Sequence, residues 1–296
     1  MKLGIGLPAV MPYGLNRRLL LDWARMADEA GFHVLSSLDR PNYDVWDPLI
    51  TLAAAAAVTG RARLATTVMQ LPNRSEVMVA KQAAVVDRLS DGRLDLGLGL
   101  GGRPDDYEVF DATMEHRVTR FRHQVGRIRE IWSEAHSKTT REFGPVGPAP
   151  VQEPGPPIWI GANPPNEAGQ RRAVELGDAF IFGAAPEPEA IAAVVEKIRG
   201  WARERAKQSF PIHRIAYVAL GGPAEREEGV LQVRRYYPAG TPRPYEEMVH
   251  HGSPEAILDW TKRNEAIGLD LCVLLPLVQN LNQVELLAEH VLPAFA

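Results

Sequence analysis

The chain has 296 residues, a formal net charge of −4 and a pI near 6.1, with 45% hydrophobic and 24% charged residues. This composition describes a folded soluble protein and excludes a disordered, collagenous or coiled-coil chain. The acidic balance leaves no electrostatic footprint for nucleic acid. The one cysteine, Cys272, excludes an intramolecular disulfide and a cysteine-based zinc centre.

Taken in chain order, Lys2–Leu7 reads as a short apolar strand with no signal-peptide pattern before it. Asn16–Ala30 follows with helical period, placing Leu19, Leu20, Trp23, Met26, Ala27 and Ala30 on one broad face before Gly31 ends it. Further strand-like runs are expected at His33–Leu38, Arg63–Leu71 and Arg93–Leu100, and helices at Asp47–Thr59, Glu76–Leu89 and Met114–Ala135. The longest apolar run, Leu49–Val58, has ten residues, half of them alanine, whereas a membrane-spanning helix needs about 20. A cytoplasmic protein with no membrane partner is expected.

The second half continues the alternation. Strands are expected at Pro157–Gly161, Asp178–Phe182, Ile212–Leu220 and Leu269–Leu275. Helices follow at Asn166–Leu176, Pro188–Lys207, Pro254–Ile267 and Asn282–Leu292. The strands start about 30 residues apart in the first half, the length of a βα unit, and are apolar nearly throughout. Eight such units predict a single α/β domain over 1–296, a (β/α)8 TIM barrel, with an open doubly wound sheet as the alternative. Surplus length falls after the fourth helix, at Phe143–Pro157 with six prolines and three glycines, and after the seventh strand, at Pro223–Gly252. Both are expected to be loops or caps on the barrel.

A barrel of this kind works at the C-terminal ends of its strands. Those ends hold few acids or bases and no histidine, but many glycines and small polar residues. Such a rim suits a large planar ligand that brings its own chemistry. Gly97–Gly102 formally contains GxGxxG, yet no helix opens at its third glycine, so the glycines are read as strand packing and clearance at the mouth. Asp39-Arg40 ends the second strand, as a ligand-holding pair or a structural ion pair. Tyr43 and Trp46 follow it and are candidates for a substrate pocket, with Tyr236, Tyr237, Tyr245 and His250. Asn163 and Asn166 precede a helix, either as part of an anion site or as ordinary caps. Arg117, Arg120, Arg122, Arg127 and Arg129 with Glu115 and Glu130 read as a solvated, salt-bridged helix face. His250-His251 lacks the spacing that converges on a metal, and no metal is expected. Cys272 is read as a small buried hydrophobe.

Two stretches carry a resemblance: Thr66-Thr-Val-Met-Gln-Leu-Pro-Asn-Arg74, and Val79–Gly102 with its run Lys81-Gln82…Asp87-Arg88-Leu89-Ser90…Gly92-Arg93. With Lys2–Pro8, Asp39-Arg40, Pro157–Ala162 and the last strand, the chain resembles the bacterial luciferase-like flavin-dependent oxidoreductases over essentially its whole length. The resemblance implies reduced FMN, or the deazaflavin coenzyme F-420, across the barrel mouth. The ring would rest on Thr67 and Val68 and be bordered by Leu100, Gly101 and Gly102. Flavin phosphate would lie near Ala162, Asn163 and Asn166. Asp39 and Arg40 take the catalytic position at the ring edge, with Asp39 orienting Arg40.

Deazaflavin-dependent members often carry His where Arg40 stands and Glu near Leu100, and neither is present. The luciferase's own His at the second-strand end and Arg at Leu100 are missing too; Arg103 is the candidate replacement for the latter. The leading expectation is therefore a two-component monooxygenase supplied with reduced FMN by a transient flavin reductase. Deazaflavin-dependent hydride transfer and a non-catalytic flavin-binding protein are the alternatives. The alanine run Ala53–Ala57 implies close helix approach, within the chain or at the homodimer interface common in this family.

Overall fold

The computed structural model describes residues 1–8, 16–137, 145–184, 187–237 and 244–295. In chain order the elements are β1 (Lys2–Gly6), α1 (Arg17–Ala30), β2 (Val34–Ser37), α2 (Pro48–Ala56), β3 (Arg63–Thr66), β4 (Met69–Gln70), α3 (Glu76–Leu89), β5 (Leu94–Gly99), α4 (Pro104–Glu108) and α5 (Arg117–His136). There follow β6 (Ile158–Gly161), α6 (Glu167–Leu176), β7 (Ala179–Phe182), α7 (Pro188–Glu204), β8 (Ile212–Leu220), α8 (Pro223–Tyr236), β9 (Val249–Gly252), α9 (Pro254–Ala266), β10 (Leu271–Pro276) and α10 (Asn282–His290).

Strands β1, β2, β3, β5, β6, β7, β8 and β10 pair in parallel, each with the next, and β10 returns to β1 with Leu3 opposite Cys272. The ring is a closed eight-stranded barrel with helices around it, the (β/α)8 architecture expected from the spacing. β4 resumes the course of β3 beyond the cis peptide Thr67–Val68 and pairs with β5. Strand residues are buried on both faces, as parallel strands between a filled interior and a helical layer must be.

Local chemistry sets the helix bounds. Asn16 accepts from Leu19 N at the start of α1, and Gly31, with φ +98°, ends it. Asp47 caps α2 and Pro48 opens it. α1 buries Leu20, Trp23, Ala24 and Ala27 against the barrel. Cys272 is fully buried in β10, and burial pushes its thiol up to about 12.

One expectation is corrected. Pro223–Gly252 is not a plain loop: it contains the 14-residue helix α8 and the strand β9. The signals are present in Pro223 at the first helical position, the Glu225 carboxylate accepting from Gly222 N at 2.8 Å, and Val230, Val233 and Tyr236 on one face. Four charged residues in its first half, Glu225, Arg226, Glu227 and Glu228, hide that face. A second short helix, α4, also opens on a proline, Pro104. The proline-rich segment, described from residue 145, carries neither helix nor strand up to 157. It is tied down by Asp87 of α3, which accepts from Val151 N, Gln152 N and Gln152 Nε2 at 2.7–3.0 Å. Among the described residues no helix is long and apolar enough to cross a membrane.

Candidate active site

The C-terminal ends of β3 to β7 surround a cavity of about 390 Å³. Its wall includes Thr67, Val68, Leu100, Gly101, Gly102, Ala162, Asn163 and Asn166. All eight residues expected to border a flavin therefore meet at one cavity. Glycine makes the approach possible. A Cβ on Gly97 would fall 1.9 Å from the Thr66 carbonyl oxygen, and one on Gly99 would fall 2.7 Å from Val68 Cγ2. Gly101 has φ +70° and its missing Cβ would meet Gln70 Oε1 at 2.2 Å.

Polar groups in the wall are few and specific. Thr67 is 2% exposed and its Oγ1 has no hydrogen-bond partner among the described residues. Asn163 Oδ1 accepts from Gly183 N at 2.8 Å, tying the end of β6 to the end of β7. Asn166 Oδ1 accepts from Gly169 N at 2.9 Å and caps α6. Both asparagines thus do cap or brace the backbone, and both also line the cavity.

Two arginines join them. Arg117 opens α5 and Arg172 lies in α6, and both line the cavity without an ion-pair partner among the described residues. Arg172 is 6% exposed. Burial lowers its pKa, and the neighbouring positive charges of Arg122 and Arg117 lower it further. Two cations held together in a concave site favour an anion between them. The reading of the α5 arginines as one solvated face therefore fails at Arg117. It holds for Arg122, paired with Glu175 at 2.6 Å, Arg127 with Glu130, and Arg129 with Asp178. Arg172 had no sequence signal, because nothing local distinguishes it from Arg171. Among the described residues, none of those lining the cavity is an acid, a histidine, a cysteine or a tyrosine.

Asp39 and Arg40 are buried at the end of β2, but the structure corrects their relation. Asp39 does not orient Arg40. Its carboxylate accepts from Arg74 Nη2 and from Gln70 N, both at 2.9 Å, and so anchors β4. Burial raises the Asp39 pKa while Arg74 opposes the rise. Arg40 instead faces Asp105 at 3.5 Å and Asp106 at 3.9 Å, and lies 5.1 Å from the ring centroids of both Tyr43 and Tyr236. Tyr43 packs edge-on against Tyr236 at 5.6 Å. Trp46 is 39% exposed and stands outside this cluster. His250 stacks on Trp260 at 3.8 Å, away from the tyrosines. Tyr245 lies near Arg234, 5.7 Å from ring centroid to guanidinium.

A larger cavity of about 740 Å³ opens at the other end of the barrel, among Lys2, His33, Arg63, Asp95, Trp159 and His213. Its cation Arg63 is held by Asp95 at 2.6 Å, and burial brings His33 down to about 4 and His213 to about 3. Barrel chemistry resides at the opposite, C-terminal face.

A family model described as luciferase-like monooxygenase matches residues 1–269. The chain is 28% identical over 156 residues to the oxygenase component of a flavin-dependent trigonelline monooxygenase from Acinetobacter baylyi, covering 50% of this chain. The chain spans 43% of the length of the curated relatives it matches first. In three dimensions it is similar to a monooxygenase from Streptomyces bottropensis, with a TM-score of 0.81, 24% identity and full coverage of both chains. It is also similar to a coenzyme F-420-dependent secondary alcohol dehydrogenase, with a TM-score of 0.78, 18% identity and full coverage of both chains. At these identities the two structures establish the shared barrel.

Proposed function

We infer that this chain, which belongs to the luciferase-like monooxygenase family, is the oxygenase component of a two-component system using reduced FMN, molecular oxygen and an organic substrate. The observation that carries the reading is the mouth cavity itself. It combines a glycine-rich wall, the Thr67 hydroxyl and two arginines without ion-pair partners, and among the described residues its lining holds no acid, histidine or tyrosine. A flat ring bearing a phosphate tail fits that donor set. Thr67, Val68, Leu100, Gly101, Gly102 and Ala162 would border the ring. Asn163, Asn166, Arg117 and Arg172 would hold the phosphate at the start of α6. When bound, reduced flavin supplies the electrons and activates oxygen. The protein supplies orientation and a site shielded from water. Thr67 Oγ1 would hydrogen-bond the ring, and Arg40 would stabilise negative charge near its edge. Asp39 would act as a positioning residue through Arg74 and β4.

Among the described residues the cavity lining holds no acid, histidine or tyrosine, which favours this reading over deazaflavin-dependent alcohol oxidation, where a protein group must move the alcohol proton. The deciding experiment is anaerobic titration with reduced FMN and, separately, reduced coenzyme F-420, each complex then being mixed with oxygen. Tight FMN binding followed by rapid oxidation supports the monooxygenase. Selective F-420 binding without oxygen reactivity replaces it with hydride transfer. Retention of flavin with no oxygen reactivity makes the protein a flavin carrier. Arg172→Met is expected to weaken FMN binding by about ten-fold while leaving riboflavin, which lacks the phosphate, unchanged. Equal losses for both ligands would remove Arg172 from the phosphate site.

The same reading includes a flavin reductase as a transient partner and a homodimer. Ile50 of α2 with Met78, Val85 and Leu89 of α3 leaves large apolar side chains exposed on two packed neighbouring helices.

A further inference from the structure

Beside the flavin cavity, the mouth carries a second group of side chains that the reaction outlined above does not use. Arg103 follows β5, at the start of α4, and its guanidinium carbon lies 4.8 Å from the Tyr236 ring centroid and 4.9 Å from that of Tyr237. Tyr217, in the C-terminal half of β8, shares a hydrogen bond of 3.1 Å between its hydroxyl and that of Tyr237. Val68 both lines the flavin cavity and packs against the cluster that contains Tyr217 and Tyr236. Arg103 directly follows Gly102 of the cavity wall, so the two sites adjoin along the chain.

The charge balance of this wall is one-sided. Arg103 has no carboxylate within ion-pair distance among the described residues and rests on aromatic faces instead. The nearby carboxylates are engaged elsewhere: Asp39 by Arg74 and Gln70, Asp106 by Gln70 Nε2 at 2.8 Å, and Asp105 by Asn42 Nδ2 at 3.2 Å and by Arg40. Burial pushes the phenols of Tyr217, Tyr236 and Tyr237 up, so at neutral pH they present O–H donors and not anions. A cation held by ring faces keeps its hydrogen-bonding edge free for a ligand. Tyr217 and Tyr236 are buried at 3% and 8% exposure and back this wall, so what it presents outward is the half-buried Tyr237, the one hydroxyl proton not used between Tyr217 and Tyr237, and one uncompensated positive charge.

We propose that Arg103, with Tyr217, Tyr236 and Tyr237, selects an organic anion as the substrate: a flat apolar body carrying a carboxylate, held with its body toward the tyrosines and its charge on Arg103. The proposal names the substrate class of the monooxygenase reading and rests on it. A neutral substrate gains nothing from Arg103, whereas a carboxylate gains a charge-assisted hydrogen bond.

The test uses benzoate, 4-hydroxybenzoate and 2-naphthoate, each against its methyl ester. Dissociation constants are measured by calorimetry on the full chain with and without FMN. At least one acid is expected to bind about ten-fold more tightly than its ester. Arg103→Gln should abolish that preference, and Arg103→Lys should keep part of it. Thermal unfolding of both variants checks that they fold, and FMN titration checks that the flavin site is intact. Esters that bind as well as acids, a preference that survives Arg103→Gln, or no binding of any acid overturns the proposal. Failure of wild-type protein to bind FMN overturns the monooxygenase reading instead, and the acid-to-ester ratio on the unloaded protein is then read independently.

Discussion

Gly97 and Gly102 lie five residues apart on the same strand end and differ in what a methyl group would meet. At Gly97 it would strike the Thr66 carbonyl at 1.9 Å, whereas at Gly102 nothing lies within 4 Å. Gly97→Ala is therefore expected to cost about 1–3 kcal/mol or more, because the β3 backbone has to move. Gly102→Ala should stay within about 0.5 kcal/mol. Urea unfolding of the two variants decides this, and equal losses would mean that β3 and β5 are not in the contact described. Arg40→Ala should lower single-turnover rate by about ten-fold while leaving reduced-flavin affinity within about two-fold. An unchanged rate removes Arg40 from the chemistry. At this scale the cavity residues on strand ends were legible, because the barrel rule says where to look. Arg117 and Arg172 were not. A helical arginine gives no local sign of facing inward, and the sign appears only when α5 and α6 are docked on the barrel. Asp39 was placed correctly and paired wrongly, since its partners Gln70 and Arg74 lie 31 and 35 residues away.

Among elements, the eight strands of the ring were readable because each is a short apolar run bounded by glycine, proline or a capping residue, with even spacing in the first half of the chain. Helix α8 was not, because its charged first half masks a face whose buried apolar side chains are Val230, Val233 and Tyr236. α2 and α3 show the opposite case: their surplus apolar residues fit an interface better than a solvated face. Leu89→Glu, at a position 55% exposed, should leave the folded protomer intact and shift sedimentation from dimer to monomer. A wild-type protein that sediments as a monomer removes the homodimer. The run that carries the family resemblance works at element scale too. Asp87 holds the proline-rich segment, and Arg93 donates to the Ala62 and Thr59 carbonyl oxygens at 2.6 and 2.9 Å. These contacts hold the N-terminal end of the barrel, not its mouth.

For the whole molecule, that N-terminal end sets a pH dependence. His213 is buried edge-on against Trp159 at 4.5 Å, and its pKa is down to about 3 because burial disfavours its charged form. The unfolded chain, with His near 6.5, binds the proton that the folded chain refuses, so stability is fully present above pH 6.5 and falls as pH drops below it. Between pH 7 and pH 5 the loss from this residue is about 2 kcal/mol. His213→Phe should flatten the decline in urea stability over that window, and an unaltered slope would place the titrating group elsewhere. His33, half-buried and down to about 4 through burial, Lys2 and Arg63, acts in the same direction.

The pairing of β9 has a different kind of consequence. β8 meets β7 over Ile212–Arg214 and β9 over Tyr217–Leu220, while β10 occupies its other side. The α8–β9 segment is thus hung on one strand beyond the reach of the ring, and the closure of β10 on β1 does not depend on it. Tyr236 and Tyr237 arrive at the mouth on that appendage, whereas the glycines and arginines of the flavin cavity belong to the ring and its own helices. Two of the four side chains proposed to meet the substrate, Tyr236 and Tyr237, can therefore change with the appendage, while Arg103 and Tyr217 stay with the ring. A lineage that exchanged or lengthened the appendage would reshape one side of the mouth and leave the barrel and its cavity as they are.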